Sequence, residues 1–314
     1  MILMKLGSGL RSCAAGGVVI VAGALLAGCG AVTGADSGKP QVVASFYPLQ
    51  YVAERVAGEH AEVHNLTSPG VEPHDLELNV MQTAEVADAD LVLYQHGLQP
   101  AVDETVEQNG PEHVVDATEV VQLAPAGDHG DETDEEHADH ASDGDPHFWL
   151  DPERLAQVAA AFEDELAAVD TDHAADYARN LEALQRDLAA LDAEYRAGLA
   201  DCKIDTVVVS HDAFGYLEKY GLHFEAINGL SPDAEPSPAH LAEIHDLVES
   251  EGITTVFSET LASKQMAQTV AGDLGIDTAV LDPLEGLSDQ TADEDYLSLM
   301  RQNLAALQEA NRCR

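Results

Sequence analysis

Basic side chains are scarce in this 314-residue sequence: 14 Lys and Arg stand against 58 Asp and Glu, for a formal net charge of −44. A surface so short of cations repels phosphates, which excludes nucleic acid as a partner and disfavours adsorption to anionic lipid. The same acidic coat concentrates cations near the protein and suits a high-salt medium. Catalytic signatures are missing as well. There is no HExxH pair, no nucleophile elbow and no paired general acid, so metal-assisted hydrolysis finds no support beyond the metal-ligand residues themselves. Leucine repeats are too few for a partner-binding zipper, and no exact internal repeat is present.

What is there supports a globular protein of two domains: 45% of residues are hydrophobic, and the length suffices for two cores. Residues 1–28 read as an export signal. Lys5 and Arg11 supply a positive start, and Cys13 to Leu26 is an apolar stretch too short and too rich in small residues for a membrane span. Leu26-Ala27-Gly28-Cys29 resembles the bacterial lipobox, in which cleavage before the cysteine leaves Cys29 to carry a lipid anchor. An ordinary secretory peptide or a stop-transfer helix is the alternative. Residues 29–40, rich in Gly, Ala, Thr and Ser, read as a flexible tether. With Cys13 removed and Cys29 lipidated, Cys202 and Cys313 remain, and in an exported protein they favour one disulfide. Two free thiols or a cysteine-ligated metal are the other possibilities.

From Gln41 strand and helix patterns alternate, which predicts an α/β fold with parallel sheets. Residues 41–169 form the expected first lobe, 170–200 a long connecting helix and 201–314 a second lobe. The first lobe has strands in QVVASF, AEVHNL and DLVLYQHG; the second has strands in TVVVS, HFEAI, ITTVFSE and DTAVLD, with helices from about Ala213, Pro238, Ser263 and Asp293. Leu181, Leu184, Leu188, Leu191 and Tyr195 make one stripe of the connecting helix. Residues 128–146 break the pattern with three histidines and nine acidic residues in 19 positions. Nothing there can build a core, so it reads as a solvated loop, and His129, His137 and His140 make it a candidate auxiliary metal binder.

Four segments present a metal-ligand side chain after a strand or on a stiff loop: VEPHD at His74, DPHFWLDP at His147, SHDAFGYL at His211 and LDPLEG at Asp282. Three imidazoles and a carboxylate close a first shell for Zn²⁺. Pro73 stiffens the backbone that presents His74, and Trp149, the only tryptophan, is the expected anchor beside His147. His211 follows a β-branched run, at the carboxyl end of a strand where open α/β sheets bind ligands. Asp282 has a competing role as the opener of an Asp-Pro turn. Neutral imidazole is needed to bind, so affinity is expected to fall as pH drops through roughly 6.

In order along the chain, VEPHDLE, DPHFWLDP, VVVSHDAFGYL, VFSETLASK and LDPLEGL resemble the ZnuA-like branch of the metal-binding lipoproteins that serve ABC importers, over nearly everything from Gln41 onward. The resemblance implies two αβ lobes joined by a rigid helix, a metal in the cleft between them, and a monomer lipid-anchored at the outer face of the bacterial cell membrane. It further implies delivery of the metal to a permease with a cytoplasmic ATPase, and no enzymatic activity. Its ligands fall on His74, His147 and His211. Histidine rather than glutamate at position 211, with the histidine-rich acidic loop, resembles the zinc branch over the manganese branch. Asp282 matches the fourth ligand, with Glu285 as the alternative and Glu72 also near. A manganese or other divalent-metal receptor and a metal-binding surface adhesin remain the rival functions.

Overall fold

A computed structural model describes residues 38–125, 144–232 and 234–314. The first lobe runs β1 (Gln41–Ala44), α1 (Tyr47–Ala57), β2 (Glu62–Asn65), α2 (Val80–Asp88), β3 (Leu91–Tyr94), α3 (Pro100–Asn109), β4 (Val114–Asp116) and the short α4 (Ala117–Val120). A 3₁₀ turn at Phe148–Leu150 then leads into α5 (Pro152–Val169) and α6 (Ala174–Gly198). The second lobe runs β5 (Thr206–Val209), a 3₁₀ turn at Gly215–Tyr220, β6 (His223–Ala226), α7 (Pro238–Glu251), β7 (Thr255–Ser258), α8 (Gln265–Leu274), β8 (Asp277–Val280) and α9 (Tyr296–Ala310).

Each lobe holds one four-stranded, wholly parallel sheet, in the orders β2-β1-β3-β4 and β6-β5-β7-β8. Side chains alternate across a strand, so each sheet feeds two cores. Val42, Ala44, Leu91 and Leu93 of the first sheet join Val207, Val209 and Phe257 of the second in one cluster, with α1, α5, α6 and α9. The intervening Val43 and Val92 face α2 and α3, and Val208 and Val256 face α7 and α8. The two lobes therefore share a core and each keeps a private one.

The 25-residue α6 is about 37 Å long at 1.5 Å per residue. It buries Tyr177, Leu184, Leu188, Leu191 and Tyr195, with Leu181 half-buried, and packs against α1, α5 and α9. It is thus a central member of the shared core as well as the connection. Cys202, just beyond α6, is bonded to Cys313, just beyond α9. Sequence periodicity did not reveal α3 or β4, the latter only three residues long. The helix expected from Ala213 is a six-residue 3₁₀ turn, closed by Gly221 at φ +94°. Among the described residues no helix is long and apolar enough to cross a membrane.

Candidate metal centre

Register places the first donor. Val208 of β5 lies opposite Val256 of β7 in a parallel pair, so three residues further His211 comes beside Glu259. His147 is fixed by the two aromatic residues next in the chain. Phe148 and Trp149 are fully buried, and the indole packs edge-on against Phe46 with ring centroids 4.8 Å apart. Trp149 Nε1 donates to the Pro283 carbonyl at 2.7 Å, which couples the first lobe to the turn carrying Glu285.

That turn is built by Asp282. Its Oδ1 accepts from Leu284 N at 2.8 Å and its Oδ2 from Thr260 Oγ1 at 2.6 Å. Asn303 brackets its backbone, donating to the Asp282 carbonyl at 2.6 Å and accepting from Asp282 N at 2.9 Å. Leu284, buried, sits at φ +59°, in the left-handed region that costs a non-glycine residue about 1–3 kcal/mol. The bend turns Glu285 inward.

Three imidazoles converge on this one carboxylate: Glu285 Oε1 lies 3.3 Å from His74 Nε2, 3.4 Å from His147 Nε2 and 3.6 Å from His211 Nε2. Donors bound at about 2.0–2.2 Å around a tetrahedral Zn²⁺ stand roughly 3.3–3.5 Å from one another, so these spacings fit a four-coordinate ion. His147 and His211 are completely buried, yet neither Nε2 makes a hydrogen bond. Buried polar atoms are almost always satisfied, and two orphans aimed at one point mark a ligand position. His74, at 16% side-chain exposure, is the donor on the solvent side.

Carboxylates hold the outer nitrogens of the two buried rings. His147 Nδ1 lies 2.8 Å from Asp145 Oδ1, and His211 Nδ1 lies 2.6 Å from Glu259 Oε1, which also accepts from Ser210 Oγ. Burial works against an imidazolium at both rings. The carboxylate partners overcome it, raising the pKa of His147 through Asp145 and then Glu285, and that of His211 to about 10 through Glu259 and Glu285. Burial likewise opposes ionisation of Glu285, but the facing His147, His211 and His74 hold its carboxylate well below the ordinary range. Glu72, whose Oε2 accepts from His74 N at 3.0 Å, is pushed up to about 7 chiefly by burial. Both rings favour protonation in the metal-free protein, so protons and metal compete for the same nitrogens.

The structure thus brings together His74, His147 and His211, with Glu285 as the fourth donor. Asp282, the residue expected there, lies outside the cluster because both its oxygens are spent on the turn. Gly144, Asp145 and Pro146, the last residues of the stretch expected to be a solvated loop, are held in place. Asp145 N donates to the Ala124 carbonyl at 2.8 Å, and the Tyr216 hydroxyl accepts from Ala124 N at 2.8 Å and donates to the Asp145 carbonyl at 2.7 Å. Gly144 sits there at φ +90°, where a Cβ would come within 2.5 Å of the Ala124 carbonyl. Asp145 therefore belongs to the site. Its signal in the sequence is local, since an aspartate two residues before a histidine can accept from that histidine's N–H, here at 3.0 Å. Glu259 stands in the VFSETLASK motif that carries the resemblance, but only sheet register brings it to His211 and so gives it a role at the site. His129, His137, His140 and Cys29 lie outside the described residues.

Known proteins resemble this chain in both sequence and fold. The chain is 37% identical over 285 residues to the zinc-binding lipoprotein AdcA of Streptococcus pneumoniae, covering 87% of this chain and 56% of AdcA, so it spans about half the length of that relative. It is 33% identical over 299 residues to the high-affinity zinc uptake system protein ZnuA of Bacillus subtilis, covering 91% and 93% of the two chains. The crystal structure of the Zn(II)-bound ZnuA-like domain of Streptococcus pneumoniae AdcA superposes with a TM-score of 0.73 at 34% identity, over 87% of this chain and 99% of that domain. The laminin-binding protein Lmb of Streptococcus agalactiae, described as bifunctional with adhesin and metal-transporting activity, gives 0.76 at 28% identity, over 86% and 99%. Residues 42–310 match the ZnuA family, the periplasmic component A of the zinc-uptake complex, and the chain belongs to it.

Proposed function

We propose that this protein is an extracytoplasmic receptor that captures Zn²⁺ with His74, His147, His211 and Glu285 and hands it to an ABC permease for import. The observation that carries the reading is the set of three imidazole nitrogens 3.3–3.6 Å from one carboxylate oxygen, two of them buried and unpartnered. Three imidazoles and one carboxylate favour zinc over manganese, which prefers an oxygen-rich octahedral shell. Zn²⁺ is here a cargo, and a closed four-donor shell leaves no position for a reacting water, in keeping with a family of transport proteins. A lipid on Cys29 would hold the protein beside its permease, and the histidines at 129, 137 and 140 would serve as a low-affinity antechamber.

Metal content and competition titration of the full-length chain with Zn²⁺ and Mn²⁺ test this, alongside His211→Ala. One tight zinc equivalent, lost in the variant, is the expected result. Preference for Mn²⁺, or tight binding indifferent to His211, would overturn it.

A further inference from the structure

The three imidazoles of the cluster are not held alike. His147 and His211 each have the outer nitrogen against a buried carboxylate, whereas among the described residues no carboxylate lies within ion-pair distance of His74 Nδ1. Asp145 and Glu259 are 4% and 2% exposed, and each carries a second hydrogen bond that fixes its own orientation: the His147 N–H to Asp145 Oδ1, and the Ser210 hydroxyl to Glu259 Oε1. One carboxylate comes from each lobe. Asp145 is reached by a local turn and Glu259 by the β5–β7 register.

We propose that Glu259 and Asp145 are the positioning residues of the metal centre, each holding its histidine with the proton on Nδ1 and the Nε2 lone pair aimed at the common point. A neutral imidazole has one N–H and one lone pair. A carboxylate accepting at Nδ1 fixes which nitrogen is which, prevents ring flipping and makes Nε2 a stronger donor. The unpartnered Nε2 atoms of His147 and His211 are where such orientation has to lead. Among the described residues His74 shows no such carboxylate at Nδ1, and its ring is met instead at Nε2, 3.3 Å from Glu285 Oε1. The inference rests on the metal-capture reading and adds to it which side chains set the affinity.

The test uses the full-length chain and Zn²⁺ alone. Glu259→Ala and Asp145→Ala are expected to bind Zn²⁺ about 10- to 100-fold more weakly, the range seen when outer carboxylates of metal-bound histidines are removed. Glu259→Gln, which keeps an acceptor oxygen without the charge, should recover part of that loss. A purely structural role is separated by nitrogen-15 NMR of the zinc-loaded protein labelled at histidine. His211 and His147 should each give a downfield, slowly exchanging Nδ1–H signal. Glu259→Gln should move the His211 signal alone, and Asp145→Asn the His147 signal alone. Should Glu259→Ala fail to fold, Glu259→Gln carries the decision. Wild-type affinity with both Nδ1–H signals unmoved in the glutamine and asparagine variants would overturn the proposal. If His211→Ala itself bound Zn²⁺ like the wild type, the metal-capture reading would fail and this inference with it. If His211→Ala lost binding while the carboxylate variants did not, only the positioning role would fail.

Discussion

Overlaying the two sheets by strand order exposes how differently the lobes use one plan. Directly after the first strand of each comes a serine and a ring: Ser45-Phe46 beyond β1, Ser210-His211 beyond β5. Directly after the third comes a buried amide in one lobe, Gln95, and a buried carboxylate in the other, Glu259. Gln95 donates to the Pro146 carbonyl at 2.7 Å and braces the backbone next to His147, while Glu259 holds His211 itself. In the second lobe, then, His211 stands at a strand end and takes its orientation from a neighbouring strand. In the first lobe the equivalent place is taken by core packing, Phe46 on Trp149, and the donors His74 and His147 arrive on loops. Equal backbone topology leaves the chemical load free to be divided unequally.

The strongest way to break this comparison is to remove donors one lobe at a time. Glu285→Ala should weaken Zn²⁺ binding by more than roughly 100-fold, beyond what outer carboxylates contribute. Asp282→Ala should lower the thermal midpoint through about 1–3 kcal/mol of lost turn hydrogen bonding, while reducing affinity less than Glu285→Ala does. Equal affinity losses would return Asp282 to the first shell. Next in size is the bond between Cys202 and Cys313, which closes a separation of 111 residues around the second lobe. Replacing both cysteines by serine should cost about 2–4 kcal/mol of stability by denaturant titration and leave zinc affinity unchanged, since neither touches the cluster.

The smallest effect concerns the polar joint between the lobes. Lys219, on the second lobe's 3₁₀ turn, reaches Asp151 at 2.6 Å, Glu153 at 2.9 Å and Asp192 at 3.0 Å, and with Arg154 on Asp151 and Arg196 on Glu153 and Asp192 the three carboxylates face three cations. Burial opposes the charge on Asp192, but Arg196, Tyr220 and Lys219 hold its pKa below the ordinary 3.8. A depressed carboxylate stabilises the fold above the unfolded value and loses that contribution as pH falls through the lower folded one. Asp192→Asn should therefore lower the thermal midpoint slightly near neutrality and flatten its dependence on pH below about 4, so that the variant and wild-type curves converge in acid. A parallel curve would mean that the joint contributes nothing electrostatically.

Much of this was legible in the chain. The β-branched runs marked seven of the eight strands, and their alternation into shared and private cores follows from period two. The three histidines stood out because each sits in a motif that stiffens or ends an element. The fourth donor did not, for a specific reason. Within LDPLEG both carboxylates are plausible, and the choice is made by Leu284 adopting φ +59°, a conformation its own sequence does not favour and which the surrounding hydrogen bonds impose. Glu259 lay within the VFSETLASK motif, but its partner could not be read there, because it meets His211 only through the register of two strands, across a separation of 48 residues.

The clasp at Ala124, Asp145 and Tyr216 has a consequence for how such a protein can change. Ala124, Asp145 and Tyr216 are tied to one another before His147 begins, so Asp145, and through it His147, is held by contacts that lie outside residues 126–143. A change confined to residues 126–143 leaves the residues of this clasp in place, whereas one that takes in Gly144 or Asp145 removes part of it.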